Sequence, residues 1–156
     1  MSDKKLEDFF AAFKRLDSLE MSNLYSNEAS FTDEIFTLQG KEDISRMWRM
    51  LVSNIGRSGK ASWSLSYRVD SDASASWEAQ YLFSATGRLV TNRVRSQFHF
   101  DSNGKVCRQI DTFDFWSWSI QALGFAGVLF GWTPFLKRKL RTKALDNLNR
   151  FAKSET

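Results

Sequence analysis

Two aspartates occupy positions from which a carboxyl group could act as a general base. Asp111 lies inside an apolar stretch that is predicted to be a strand, where aspartate is disfavoured and needs a specific partner. Asp33 follows a short predicted strand and precedes Glu34. In an apolar pocket, desolvation would raise the pKa of either carboxyl group and make it a usable base near neutral pH. The structural alternatives are a capping or turn role for Asp33, and for Asp111 a buried carboxylate held by the backbone or by an arginine.

Aromatic residues recur at every second position of the predicted strands, which indicates that one face of a sheet is lined by rings. Two polar residues, Asn92 and Ser96, share that face, and Tyr25 and Tyr81 are the candidate phenol donors. Rings with a few directional polar groups are typical of small-molecule pockets, although most aromatic stripes simply form a core. The predicted ligand-binding residues are Tyr25, Trp63, Tyr67, Trp77, Tyr81, Asn92, Ser96 and Phe98.

The remaining titratable residues are predicted to have no part in the site chemistry. His99, the one histidine, shares its strand parity with Arg93 and Arg95, which indicates a solvated surface position. Asp114 has the opposite parity to Asp111 and is expected to pair with an arginine of the neighbouring strand. The single cysteine and the lack of a Cys/His cluster predict no disulfide and no metal site, and favour a reducing, cytoplasmic location.

The elements that position these residues follow from hydrophobic periodicity. Residues 3–24 predict two short helices broken near Asp17, residues 29–32 a brief strand, and residues 41–55 a helix stopped by Gly56. From residue 61 to about residue 115 the period is two, which predicts four antiparallel strands joined by tight turns. The pattern indicates a single α+β domain over residues 1–156, with a core of about residues 5–118.

The segment after the last strand is the least ordinary part of the chain. Residues 115–132 are apolar and glycine-spaced, and a cluster of Lys and Arg at positions 137–143 follows. We expect residues 119–153 to form a lid over the pocket and then an amphipathic helix from Pro134. The apolar residues of that helix are Leu136, Leu140, Leu145, Leu148 and Phe151.

Contact of this C-terminal segment with a membrane surface is the alternative to a lid. Serines, a glutamine and glycines interrupt the apolar run, which argues against a spanning helix. The chain has 22 basic and 18 acidic residues, a modest excess. Because the basic cluster is short and lacks interleaved aromatic residues, nucleic-acid binding is not expected.

The order of elements resembles the nuclear transport factor 2-like superfamily, in its SnoaL-like and ketosteroid-isomerase-like branch. The resemblance spans residues 5–118, and its motifs are LYSNEASFTD at 24–33, GKEDI at 40–44, WEAQYLF at 77–83, TGR at 86–88, FHFDSNGKV at 98–106 and IDTFDFW at 110–116. It implies a cone-shaped, curved antiparallel sheet around a pocket, and often a homodimer. It also implies chemistry that needs no cofactor.

The resemblance implies roles for single residues. Asp33 matches the general base of ketosteroid isomerases, whereas Ser96 stands where their second aspartate would be. Asp111 matches one acid of limonene epoxide hydrolase, but Trp77 and Ala79 stand at the other two catalytic positions. Neither set is complete. The resemblance therefore favours an isomerase, cyclase or dehydratase acting on an apolar, carbonyl-type substrate; a non-catalytic domain that binds an apolar ligand or another protein is the alternative.

Overall fold

The computed structural model describes residues 2–70 and 73–156, and it has an α+β fold. The helices are α1 (Ser2–Lys14), α2 (Ser18–Ser22), α3 (Lys41–Ser58), α4 (Phe115–Leu123), α5 (Phe125–Phe130) and α6 (Pro134–Ser154). The strands are β1 (Tyr25–Thr32), β2 (Thr37–Gln39), β3 (Ser64–Val69), β4 (Ser74–Phe83), β5 (Arg88–Phe100) and β6 (Val106–Phe113). The predicted turn between β3 and β4 falls partly on residues 71 and 72, outside the described residues.

The six strands form one sheet in the order β2-β1-β6-β5-β4-β3. Strands β3 to β6 are the predicted antiparallel meander, with tight turns between β4, β5 and β6. The sheet is mostly antiparallel, as expected, and β1 adds one parallel pairing with β6. This pair joins distant segments, with Thr32 opposite Ile110, so local periodicity did not predict it. Strand β1 also begins at Tyr25 rather than Ala29, and β2 was not predicted.

Helix α3 was expected to stop at Gly56, but it continues to Ser58. In the described structure no atom lies within 4 Å of the place where a Cβ on Gly56 would be, so no neighbouring residue requires a glycine or a helix end at this position. A glycine inside a helix costs only about 1 kcal/mol relative to alanine. Gly59, whose φ of +117° is unfavourable for other residues, ends the helix instead.

Helices α1 and α3 cover part of one face of the sheet and bury most of the core rings. Phe9 and Phe13 of α1 pack edge-to-face against Trp48 of α3, with ring centroids 5.9 and 5.1 Å apart. Phe10 stacks on Tyr67 of β3 at 5.3 Å and contacts Phe98 of β5 edge-to-face at 6.3 Å. Such pairs add about 1 kcal/mol each beyond the burial of their area. The part of the sheet that α1 covers is therefore filled by packed core rings.

The C-terminal helix α6 forms as expected from Pro134, and Thr133 caps it by accepting a hydrogen bond from the Leu136 amide. Leu148 is buried against the core. Leu145 was expected to pack as well, but 43% of it is exposed. The face that packs contains Leu140, Ala144 and Leu148 at helical spacing, and Leu145 is rotated about 100° away from Ala144.

Ion pairs hold both ends of α6 on the body of the domain. Lys137 pairs with Glu34 in the β1–β2 loop, where the Arg141 guanidinium also donates to the backbone carbonyl of Glu34. At the other end Glu155, just beyond the helix, pairs with Arg49 of α3 at 2.6 Å. In the described part of the chain, no helix has the length and apolarity required to cross a bilayer.

Candidate functional site

A cavity of about 290 Å³ lies between α3, the central strands and the C-terminal helices, at the low end of the range for ligand pockets. Strands β4, β5 and β6 form its floor, and α3, α4 and α6 form its walls. The residues with side chains relevant to binding or chemistry are Asp33, Trp48, Asn54, Trp63, Trp77, Tyr81, Asn92, Asp111, Trp118, Lys143 and Asn147. The other lining residues are largely apolar, so the cavity suits an apolar ligand with one or two polar groups.

Asp111 is positioned by the pairing of β5 and β6, which places it directly opposite Ser96. The Ser96 hydroxyl donates to Oδ1 of Asp111 at 2.5 Å, and the side-chain amide of Gln109 donates to the same oxygen at 3.0 Å. The residue is 95% buried, with 5% of its surface accessible. Its other oxygen, Oδ2, has no hydrogen-bond partner among residues 2–70 and 73–156. One carboxylate oxygen is therefore fixed and the other is available to a ligand.

A chain of hydrogen bonds supports Asp111 from both sides. On one side the Trp48 indole donates to the Tyr25 hydroxyl at 3.0 Å, and Tyr25 in turn donates to Oε1 of Gln109 at 2.5 Å. On the other side the Trp77 indole donates to Ser96 Oγ at 2.8 Å. Because every donor in both branches points toward the carboxylate, the chain orients Ser96 and Gln109 as donors to Asp111.

Burial raises the pKa of Asp111 to about 7 because its charged form is desolvated in the apolar cavity. The hydrogen bonds from Ser96 and Gln109 act in the opposite direction, since they stabilise the charged form. The negative charge of Asp33 raises the pKa further. Among the described residues no cation forms an ion pair with Asp111, so the predicted alternative of a buried salt bridge does not apply.

Asp33 follows β1 and combines a turn role with a place in the cavity wall. Its Oδ1 accepts hydrogen bonds from the backbone amides of Ile35 and Phe36 at 2.7 and 2.6 Å, which forms the turn that leads to β2. Within the described parts of the chain Oδ2 has no hydrogen-bond partner. Burial raises the pKa of Asp33 to about 6, while the two backbone amides and the charge of Arg141 act to lower it.

Tyr81 presents a phenol to the same cavity. Its hydroxyl oxygen accepts a hydrogen bond from the Trp118 indole at 2.9 Å, which ties α4 to β4. No acceptor for the Tyr81 proton is present in the described structure, so this O–H can donate to a ligand. Burial raises the pKa of Tyr81 to about 12, and the nearby charge of Asp33 contributes to that rise. The phenol is therefore protonated throughout the physiological pH range.

The structure brings some of the predicted site residues to the cavity and others to different places. Asp33, Asp111, Trp63, Trp77, Tyr81 and Asn92 line the cavity. Tyr25 and Ser96 do not line it and belong to the hydrogen-bond chain behind Asp111. Tyr67 and Phe98 pack against Phe10 in the core, away from the cavity.

Several lining residues lie on helices and were not among the predicted site residues. Met47, Leu51 and Asn54 of α3 line the cavity, and their spacing of four and three residues would have identified this helical face. Trp118 of α4 and Lys143 of α6 also line it, but only the tertiary position of these helices reveals that. Gln109 was missed too, although it lies two residues before Asp111 and shares its strand parity.

The other titratable candidates have structural roles. His99 is exposed, as predicted. Among the described residues no arginine pairs with Asp114, which instead caps α4 by accepting a hydrogen bond from the Ser117 amide at 3.1 Å. An aspartate just before a helix satisfies an unpaired amide, which explains the difference. No cluster of three His, Cys, Asp or Glu residues in the described structure could hold a metal ion.

The mixed six-stranded sheet with helices at both ends of the chain defines an α+β protein of the nuclear transport factor 2-like class. The family model of the SnoaL-like domain matches residues 6–109, which is more than half of the chain. The protein therefore belongs to the SnoaL-like family. None of the curated protein sequences is significantly similar to this chain.

Solved structures with low sequence identity share the fold. One from Xanthomonas campestris, described as a polyketide cyclase, is 13% identical with a TM-score of 0.60 over 78% of this chain and 96% of that one. A ketosteroid isomerase-like protein from Erwinia carotovora is 14% identical, with a TM-score of 0.51 and coverages of 70% and 91%. An LEH-like epoxide hydrolase from M. tuberculosis is 15% identical, with a TM-score of 0.55 and coverages of 82% of this chain and 94% of that one.

Proposed function

We propose that the cavity binds a small apolar carbonyl compound and that Asp33 and Asp111 move a proton on it, as in a cofactor-independent isomerase, cyclase or dehydratase. One observation carries the proposal. Two carboxyl groups line one apolar cavity, and each has one oxygen held by hydrogen-bond donors and the other without a partner in the described structure. Carboxyl groups with raised pKa values in a cleft are candidates for acid–base catalysis.

The roles within the proposal follow the resemblance and the raised pKa values together. Asp33 stands at the position of the general base in the ketosteroid-isomerase resemblance, so we take it as the base. Burial raises the pKa of both carboxyl groups, so Asp111 can hold a proton near neutral pH and is taken as the acid. Because Oδ1 of Asp111 accepts from Ser96 and Gln109, the proton of the neutral form belongs on Oδ2.

The proposed step needs no redox partner. Asp33 takes a proton from the carbon next to the carbonyl, and the electrons of the C–H bond form a carbon–carbon double bond as the carbonyl oxygen becomes an enolate. The Tyr81 hydroxyl donates to that oxygen. If the proton returns to another carbon of the substrate, the reaction is an isomerisation. If instead Asp111 protonates a hydroxyl group of the substrate and that group leaves as water, the reaction is a dehydration. A single donor at a developing oxyanion contributes about 10²–10³ in rate.

The apolar lining favours a small apolar or aromatic compound with one carbonyl or hydroxyl group. The likeness to proteins described as a polyketide cyclase and a ketosteroid isomerase-like protein supports this substrate class. The incomplete match to the epoxide hydrolase residues, with Trp77 and Ala79 at two positions, argues against epoxide opening.

Proton exchange tests the proposal without knowledge of the natural substrate. The protein is incubated in D₂O with 3-cyclohexen-1-one, and deuterium at the carbons next to the carbonyl is followed by proton NMR, with conjugation followed by ultraviolet absorbance. We expect the wild type to accelerate exchange and Asp33→Asn to lower the rate about 10²-fold or more. Asp8→Asn, which removes an exposed carboxyl group of α1, is the control and should leave the rate unchanged. Exchange at the buffer rate with the wild type would refute the proposal for this substrate class.

Ligand binding without turnover is the second candidate. The hydrogen bonds that fix Oδ1 of Asp111 and Oδ1 of Asp33 are also what a purely structural role would require. In that case apolar carbonyl compounds raise the melting temperature of the wild type and of Asp33→Asn by the same amount, and neither protein exchanges protons. Equal melting shifts together with exchange only in the wild type support catalysis.

A further inference from the structure

The helices α4 and α5 pack with large apolar side chains on the outside. Gly127 and Gly131 lie against Ser119 of α4, and a Cβ on Gly127 would be 2.1 Å from the Ser119 carbonyl oxygen. The inner face of α5 is therefore restricted to glycine. Its larger residues point away from the domain, and 76% of Phe125 is exposed. This is the reverse of the usual arrangement, in which a helix buries its large apolar residues.

These side chains, with others near them in sequence, form what we call the aromatic patch. Its members are Trp116, Phe125, Val128, Leu129, Phe130, Trp132 and Phe135, all of them exposed. Trp132 and Phe135 are 70% and 68% exposed, so this side of the domain leaves them unpacked. Single exposed apolar residues are common, but seven within twenty positions mark an interaction surface.

The charged residues next to the aromatic patch in the sequence are all basic, although two of them, Lys137 and Arg141, contact Glu34 of the β1–β2 loop. Between residues 115 and 145 there are five Lys or Arg residues and no Asp or Glu, whereas residues 1–114 contain 15 basic and 16 acidic residues. Arg138 and Lys139 lie three and four positions after Phe135, so they share its exposed face of α6. Neither forms an ion pair in the described structure. The first acidic residue on this face, Asp146, is about three helical turns from Phe135.

We propose that the aromatic patch docks on the surface of an anionic lipid bilayer, with its rings at the headgroup level and Arg138 and Lys139 against lipid phosphates. Exposed aromatic and aliphatic residues flanked by Lys and Arg are the chemistry of interfacial binding. A second copy of the chain is a poorer occupant, because it would bring two identical positive clusters together. The proposal is independent of the catalytic one, since the patch residues are not those assigned to proton transfer.

Vesicle binding tests the docking surface. The full chain is sedimented with phosphatidylcholine vesicles, with and without about 30% phosphatidylglycerol, at low and high salt. We expect binding only to the anionic vesicles, and weaker binding at high salt. Arg138→Gln/Lys139→Gln should weaken it roughly 5-fold per charge removed. Trp132→Ser/Phe135→Ser should abolish it, since the inserted rings are lost.

Two matched controls exclude general effects. Leu19→Ser removes an apolar residue of α2 that is 75% exposed, and Arg95→Gln/Arg108→Gln removes two charges exposed on the sheet. Both should bind as the wild type does. The patch variants alter exposed side chains, and unchanged circular-dichroism melting curves would show that they fold.

Three results would overturn the proposal. They are no binding to anionic vesicles, equal binding to neutral and anionic vesicles, and wild-type binding by Trp132→Ser/Phe135→Ser. Sedimentation equilibrium without lipid adds a fourth: a wild-type dimer that Trp132→Ser/Phe135→Ser converts to a monomer would assign the patch to a second copy.

Discussion

Ser96 and Asp111 face each other across the β5–β6 pair, and the Ser96 hydroxyl donates to Oδ1 of Asp111 at 2.5 Å. The Trp77 indole donates to the same hydroxyl, so the serine proton is directed to the carboxylate. Ser96 stands where the ketosteroid-isomerase resemblance has a second aspartate, and here its hydroxyl stabilises Asp111 by a hydrogen bond. The acid is held by its neighbours and faces a cavity that it shares with Asp33.

Ser96→Ala should raise the pKa of Asp111 further, because it removes a hydrogen bond that stabilises the charged form. It also leaves the partly buried Trp77 indole without its acceptor, and the loss of both hydrogen bonds should cost about 1–3 kcal/mol of unfolding free energy. Urea unfolding measures the loss. Ser66→Ala, at an exposed site on β3, is the control and should change stability by less than about 0.5 kcal/mol. Equal effects of the two substitutions would show that the Ser96 hydrogen bonds are unimportant.

Tyr81→Phe should lower the rate of deuterium exchange about 10²-fold, because it removes the proposed donor to the enolate oxygen. Tyr67→Phe removes a phenol that lies outside the cavity and should leave the rate as it is. The comparison is made on ketone exchange in D₂O, with ligand-induced melting shifts as a check on binding. A larger loss of exchange in Tyr67→Phe than in Tyr81→Phe would contradict the assignment of the donor.

Leu148→Ala should destabilise the protein by about 2–5 kcal/mol, because it empties a buried position between α6 and the core. Leu145→Ala, on the same helix but 43% exposed, should cost much less. Chemical unfolding of both variants gives the difference. If both variants lose the same unfolding free energy, α6 does not pack with Leu148 toward the core. The assignment of α6 to the cavity wall would then be wrong.

Stability should fall as the pH rises from about 4 to about 7. Asp33 and Asp111 have pKa values of about 6 and 7 when folded, against about 3.9 for aspartate in an unfolded chain. The folded protein therefore keeps protons that the unfolded chain has already released, and the unfolding free energy decreases until both folded groups are ionised.

Asp111→Asn isolates the contribution of that residue to this pH dependence. As the pH rises across this range, the unfolding free energy of the wild type should fall relative to that of the variant by on the order of 4 kcal/mol. Groups whose pKa values are lowered by side-chain hydrogen bonds, such as Asp70 by Ser76 and Arg68 and Glu155 by Arg49, contribute equally to both proteins and cancel. A pH-independent difference would show that the pKa of Asp111 is not raised.

Strand parity predicted which face Asp111, Trp77 and Tyr81 share, because alternation along a strand depends only on local geometry. It could not predict how far the cavity extends along that face. Phe10 of α1 fills the part next to Tyr67 and Phe98, and that packing depends on where a distant helix lies.

Long-range contacts account for the other differences. The parallel pairing of β1 with β6 joins residues about eighty positions apart, and no local pattern encodes it. The rotation of α6 is similar, since Leu145 and Leu148 are equally apolar and only docking on the body decides which is buried. The motifs of the resemblance, by contrast, predicted the fold well because they span most of the domain.

The carboxyl ¹³C chemical shifts of Asp33 and Asp111, followed against pH, test the central claim most directly. We predict midpoints near 6 and 7, and a lower midpoint for Asp111 in Asp33→Asn, because the charge of Asp33 raises the pKa of Asp111. Midpoints near 4 for both residues, with no effect of Asp33→Asn on Asp111, would contradict a coupled acid–base pair in the cavity.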